Sequence, residues 1–188
     1  MLNEEIKNAT EVLKNGGLIL YPTDTIWGIG CDATNEIAIE RIFKLKGRDS
    51  KKSMIVLLDN DNKLQSYVSD IPDLAYDLIE FAEQPLTIVY SKAKNLAKNV
   101  VHEDGTIGIR IVKHPFCEQL IQRFKKPVVS TSANLSGEPS PSNFSEIASE
   151  IISGVDYVVN LEQDSFEQKR PSTIMKLDPD GTFKFIRK

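Results

Sequence analysis

With 188 residues, 40% hydrophobic and 27% charged, the chain fits one sizeable globular domain rather than a disordered or fibrous protein. No apolar run approaches the ~20 residues that cross a bilayer, and the acidic amphipathic N-terminus resembles neither a signal nor a transit peptide, so a cytoplasmic protein with no membrane partner is expected. A net charge of −4 argues against general polyanion binding, and Cys31 and Cys117, far apart and without a CxxC, suggest neither a disulfide framework nor a zinc site.

Leu2, Ile6, Ala9, Val12 and Leu13 recur at helical spacing until Gly16-Gly17. Leu18 to Tyr21 follows as a short buried strand ended by Pro22, and the segment from Pro22 to Gly30 reads as a loop. A second helix is expected from Asn35 to Leu45, with Ala38, Ile42 and Leu45 on one face and Thr34 or Asn35 as its cap. Met54 to Leu58 reads as strand and Pro72 to Ala82 as helix. Leu86 to Tyr90 and Thr106 to Ile111 are strands, and Phe116, Leu120, Ile121 and Phe124 mark another helix. Strand Val128 to Thr131, helix Ser145 to Ile152 and strand Tyr157 to Asn160 come next. Ser172 to Leu177 and Thr182 to Arg187 form a hairpin around Asp178-Pro179-Asp180-Gly181. The charged stretch Glu162 to Arg170 reads as a mobile surface loop. Uneven spacing and the hairpin predict an α/β fold on a mixed sheet, as a single domain over 1–188.

Three polar islands stand at strand ends: YPTDT (Tyr21 to Thr25), KLKGR (Lys44 to Arg48) and STSANLSG (Ser130 to Gly137). The last offers four hydroxyls, an amide and a glycine after a buried strand. It suits either a helix-capping turn or a polar ligand approached by backbone N–H groups. Lys44, Lys46, Arg48, Lys51 and Lys52 crowd into nine residues. Such lysines can simply offset a helix dipole, but Arg48, just past Gly47, is placed to fork phosphate oxygens. Thr106 and Arg110, four apart on one strand, share a face. No acid in that segment partners Arg110, which leaves an anionic ligand or a salt bridge from elsewhere. Trp27, two residues beyond Thr25, lines the same cavity or sits in the core.

Other chemistries are disfavoured. Gly28-Ile29-Gly30-Cys31-Asp32-Ala33 matches GxGxxA, but the glycines do not open the following helix and no acid ends the next strand. There is no P-loop, GxSxG or HExxH, and His102 and His114 read as isolated surface-loop residues.

PTDTxxGxG, KxKGR, QPLT, TIGIR, STSANLSG and PSTI occur in this order. Together they resemble the YrdC-like family of threonylcarbamoyl-AMP synthases, from Tyr21 to Arg187. The resemblance implies a twisted mixed sheet flanked by helices around a basic cavity. It implies condensation of L-threonine, bicarbonate and ATP to threonylcarbamoyl-AMP and pyrophosphate. Mg²⁺ would be carried on the ATP, with no metal ligand from protein side chains. A downstream threonylcarbamoyl transferase complex would then modify tRNA. Carried over by motif, Thr25, Arg110 and Ser172 would hold threonine. Arg48 and Lys52 would hold ATP phosphates, with Lys46 adding charge and Lys46 and Arg48 forming the catalytic pair. Thr106, Ser132, Asn134, Ser142 and Arg187 would complete the nucleotide site. The alternative is a YciO-like paralogue that binds nucleotide or RNA, or a module binding double-stranded RNA or tRNA. Ser53, Gln84, Val112 and Trp27 depart from the family's usual residues without removing a proposed contact.

Overall fold

The computed structural model describes residues 1–47, 54–165 and 167–188. Its helices are α1 (Leu2–Lys14), α2 (Glu36–Lys46), α3 (Leu64–Tyr67), α4 (Leu74–Glu80), α5 (Pro115–Phe124) and α6 (Ser149–Gly154). The strands are β1 (Ile19–Tyr21), β2 (Gly28–Gly30), β3 (Ile55–Leu58), β4 (Leu86–Tyr90), β5 (Ile107–Ile111), β6 (Val128–Ser132), β7 (Tyr157–Val158), β8 (Thr173–Leu177) and β9 (Phe183–Arg187). They form one sheet in the order β7-β1-β2-β6-β3-β5-β4-β8-β9. It is mixed: β1–β7, β3–β5 and β4–β8 run parallel and the other pairs antiparallel. No helix among the described residues is long and apolar enough to cross a membrane.

Strand alternation decides which face each residue joins. Leu20, Ile29, Val56, Ile88, Ile109, Val129 and Met175 point to one side and pack with Ala38, Ile39 and Ile42 of α2 and Ile151 of α6. Ile19, Tyr21, Leu57 and Val128 point to the other, against Ile6, Ala9 and Leu13 of α1 and Phe116 and Leu120 of α5. On that second face the apolar residues give way, along the same strands, to small and polar ones. Ser130 and Ser132 follow Val128 at two-residue intervals. The register sets Arg110 beside both Leu57 and Thr87, Thr87 beside Ile174, and Ile174 beside Arg187. Where α1 and α5 stop covering this face, a polar cavity opens.

Gly30 of the GxGxxA match has a packing role. A Cβ on Gly30 would stand 2.6 Å from the Val129 carbonyl oxygen and 2.7 Å from the Tyr21 ring, so β2 can lie flat only with hydrogen there. Gly28 and Gly30 are thus in a strand, not at a helix start, which removes the dinucleotide reading. The loop expected over 22–30 contains this strand. Asn35, rather than Thr34, caps α2, its side-chain oxygen accepting from the Ile37 and Ala38 N–H groups at 3.0 and 3.1 Å. Gly47 ends the helix in the left-handed region, φ 57°. Two expected helices are shorter than read: residues 72–73 and 81–82 lie outside α4, and α6 starts only at Ser149. Cys31 and Cys117 are free and buried, and burial pushes both thiols up.

Candidate functional site

The cavity, about 300 Å³, is lined by Thr25, Trp27 and Gly28 from the PTDT segment and β2, Arg110 from β5, and Ser130, Thr131 and Ser132 from β6. Ser140, Pro171, Ser172, Ile174 and Arg187 close its far side, with Met54 and Ile55 between. The volume sits at the lower end of the range for small-ligand sites. A neighbouring cavity of about 330 Å³ shares Met54, Ile55 and Ile174 and adds His102, Asp104, Thr106 and Lys176. The two adjoin on one sheet face, as the shared orientation of Thr106 and Arg110 requires.

Thr25, Arg110 and Ser172 come together in the first cavity although they lie far apart in sequence. The Thr25 hydroxyl is 3.0 Å from that of Thr23, which also donates to the Ile26 carbonyl at 2.8 Å and accepts from the Thr25 N–H at 3.0 Å. This network fixes the turn and aims Thr25. The Ser172 hydroxyl shares a 2.8 Å hydrogen bond with Thr87. Arg110 is only 3% exposed, and its partner is Asp24 of PTDT, with Nη2 3.1 Å from Oδ1. The sequence segment around Arg110 held no such acid; the PTDT turn delivers it across the sheet. The contact is close but poorly aligned, so Asp24 Oδ1 and Arg110 Nε have no hydrogen-bond partner among the described residues. Arg110 lines the cavity, and a guanidinium there can pair with a carboxylate.

Arg187 lines the same cavity and donates from Nε and Nη2 to the Ser172 carbonyl at 3.1 and 2.8 Å. Burial, and then the charge of Arg110, pull its pKa below the usual arginine value. Two adjacent cations at one cavity favour an anionic occupant. Thr106 belongs to the neighbouring cavity, where its hydroxyl and N–H donate to Asp104 at 2.7 and 3.0 Å and hold that carboxyl below its ordinary range.

Other expected site residues serve the STSANLSG loop itself. Lys46 is buried, 2% exposed, and its ammonium donates to the carbonyl oxygens of Ser132 and Asn134 and, at 3.4 Å, to Asn134 Oδ1. The Asn134 amide nitrogen donates onward to the Leu135 and Glu138 carbonyls at 3.0 and 2.6 Å. Ser132 lines the cavity; Asn134 and Ser142 do not, and the Ser142 N–H donates to Glu146 at 2.7 Å. The structure therefore gives Lys46 a clamp on the loop. Replacing it by methionine should strand buried carbonyls and cost about 1–3 kcal/mol. The check is a lower urea midpoint at unchanged slope; an unmoved midpoint would contradict the clamp. Arg48 and Lys52 lie outside the described residues, as does Ser53.

Trp27 is buried, lines the cavity, and packs on Phe144 with ring centroids 4.9 Å apart, so core and cavity readings both apply to it. Its emission should change on adding ATP and again with threonine plus bicarbonate, and Thr25→Val should remove the second change. Emission unmoved at ligand concentrations that calorimetry shows to be saturating would place Trp27 outside the site.

The histidine reading needs correction. His114 is not a surface-loop residue but buried, with Nε2 2.7 Å from Glu162 Oε1; His102 is half-buried at the second cavity. The charged stretch expected to be a mobile loop makes contacts at Glu162 and Lys169. Glu162 Oε2 accepts from Lys169 Nζ at 2.8 Å, and Lys169 donates to the Thr23 carbonyl at 3.1 Å. Burial pushes the Glu162 carboxyl up, but hydrogen bonds from Lys169 and His114, with their charges, outweigh this and hold it below the ordinary value. No local pattern points to these contacts, because each partner comes from a distant element.

Residues 11–188 match the Sua5/YciO/YrdC family model, whose description is "Telomere recombination". A threonylcarbamoyl-AMP synthase from Pseudoalteromonas translucida (strain TAC 125) is 38% identical over 172 residues, 90% of this chain and 91% of that protein. The structure of Pyrococcus abyssi Sua5 complexed with L-threonine is similar with a TM-score of 0.82 at 26% identity, over 92% of this chain and 50% of that one. This chain thus spans about half the length of that protein. Escherichia coli YciO shares the fold, with a TM-score of 0.85 at 24% identity, over 100% of this chain and 90% of its own. The matched span and the synthase relative together place the chain in the Sua5/YciO/YrdC family.

Proposed function

We propose that this protein is a threonylcarbamoyl-AMP synthase, forming its product and pyrophosphate from L-threonine, bicarbonate and ATP. The observation that carries the reading is the convergence of Thr25, Arg110 and Ser172 on one cavity. A threonine carboxylate pairs with the Arg110 guanidinium, and the two hydroxyl residues stand where a substrate hydroxyl can be recognised. The synthase relative, matched over nine-tenths of both chains, and the threonine complex of the Pyrococcus protein support this reading over a YciO-like one.

The reaction asks little of a protein nucleophile. Threonine's amine and bicarbonate give a carbamate with loss of water. A carbamate oxygen attacks the α-phosphorus of ATP, and the bond to pyrophosphate breaks. Positioning and charge neutralisation are the protein's part. Arg110 and Arg187 provide positive charge in the cavity, and we assign Arg48 and Lys52 to the phosphates. Thr106 and the adjoining cavity extend the site for the nucleotide. Mg²⁺ enters on the triphosphate. The product's mixed anhydride is reactive, so a transferase that delivers the threonylcarbamoyl group to tRNA is the partner this chemistry calls for.

The test is to incubate the protein with Mg-ATP and bicarbonate, with and without threonine. Pyrophosphate and threonylcarbamoyl-AMP are expected only in the complete mixture. Nucleotide binding with no threonine-dependent pyrophosphate would favour the YciO-like reading.

A further inference from the structure

Two of the three residues that face the cavity together, Thr25 and Ser172, sit on separate loops, and one lysine ties those loops to each other. Lys169 stands three residues before Ser172. Its ammonium, 21% exposed at the side chain, donates to the Thr23 carbonyl at 3.1 Å and to Glu162 Oε2 at 2.8 Å. Thr23 is 1% exposed and holds Thr25 through the hydroxyl and N–H contacts described above. On the far side, Glu162 Oε1 is 2.7 Å from Nε2 of His114, which is anchored at the start of α5. Glu162 itself holds a left-handed backbone, φ 56°, a conformation that a non-glycine residue keeps only when its surroundings fix it. A continuous path of polar contacts therefore runs from α5 through Glu162 and Lys169 to the turn that aims Thr25, and the chain continues from Lys169 directly to Pro171 and Ser172 on the cavity wall.

We propose that Lys169 is a positioning residue for the amino-acid substrate, fixing the Thr23–Thr25 turn against the strand entry that carries Ser172. Its hydrogen bonds go to Thr23 and Glu162, neither of which lines the cavity, and it acts through Thr23. The assignment rests on the threonine-binding reading of the cavity. Lys169 bears on the Thr23–Thr25 turn, whereas Thr106, carried over to the nucleotide, lines the adjoining cavity.

Steady-state kinetics on Lys169→Met, Lys169→Arg and Glu162→Gln test the proposal, alongside hydrogen exchange of the Thr25 amide. Lys169→Met should raise the KM for threonine by about tenfold or more, since a small displacement of a positioning contact has effects of this order or larger, while the KM for ATP stays within about twofold. Lys169→Arg, which keeps a donor and a charge, should restore most of the loss. Glu162→Gln should show a weaker form of the same threonine-specific defect, and Thr25 amide exchange should accelerate in Lys169→Met. A threonine KM unchanged in Lys169→Met, or threonine and ATP KM values rising together in a folded protein, would overturn the assignment. If the unmodified protein turns over no threonine, the synthase reading fails by itself, and exchange then decides about the tether: an unchanged Thr25 amide in Lys169→Met would overturn that as well.

Discussion

Arg110→Ala should weaken threonine binding by roughly 10- to 150-fold while leaving ATP affinity little changed, the loss expected for a charge-assisted contact of about 1.5–3 kcal/mol. The same substitution also takes from Asp24, with 7% of its side chain exposed, its Arg110 ion-pair partner. Removing one member of a buried pair costs about 3–5 kcal/mol, so the single variant will be markedly less stable. The two effects come apart in Arg110→Ala combined with Asp24→Asn. That protein should regain much of the stability, because no buried charge is stranded, yet still bind threonine poorly. Arg110→Lys should fall between, since it retains charge but loses the fork that matches a carboxylate. Calorimetry with threonine and with ATP, beside urea unfolding, distinguishes the outcomes. A double variant that is stable and binds threonine normally would make Arg110 purely a partner for Asp24.

Much of this architecture is written into local pattern. In Thr-Ile-Gly-Ile-Arg, period-two alternation sends Ile107 and Ile109 into the core, and Gly108 and Arg110 to the cavity face. Pro-Val-Val-Ser-Thr-Ser reads the same way, with Val129 in one core and Val128 in the other, and Ser130 and Ser132 at the cavity. Those faces were legible because burial on a strand obeys its pleat. What escaped was set by distant pairing. Gly28-Ile29-Gly30 has one apolar side chain and no alternation to detect, and it becomes a strand because β1 and β6 bracket it. The four residues of α3 are too few for helical periodicity to emerge.

The site shows the same division. Thr25, Arg110 and Ser172, which the resemblance gives to threonine, and Ser132 and Arg187, which it gives to the nucleotide, all line one cavity. The partners that hold them were not legible. Asp24 is next to Thr25 in the chain, but only the fold sets it against Arg110. Lys46 reads as one more cation in a basic cluster until the STSANLSG loop wraps over it and its ammonium takes loop carbonyls. His114 resembles an exposed loop residue until Glu162 arrives from beyond β7. Polarity at a strand end is visible in the chain itself, whereas the residues that brace it depend on three-dimensional neighbours.

The central claim is that this cavity selects threonine, and pyrophosphate release with threonine against valine measures that selection most directly. Valine keeps the carboxylate, the amine and the β-branch, and replaces the hydroxyl by a methyl group. Thr25 and Ser172 line the cavity with their hydroxyls already bonded to Thr23 and Thr87; each keeps capacity for one more bond, which a threonine hydroxyl can use and a valine methyl cannot. Sites that hydrogen-bond a substrate hydroxyl reject the analogue lacking it far more strongly than an apolar pocket rejects a missing methylene, so a kcat/KM ratio of about 100 or more is expected. With Mg-ATP and bicarbonate fixed and each amino acid titrated, pyrophosphate should appear readily with threonine and near background with valine. Equal release from the two, or none from threonine, would contradict the account.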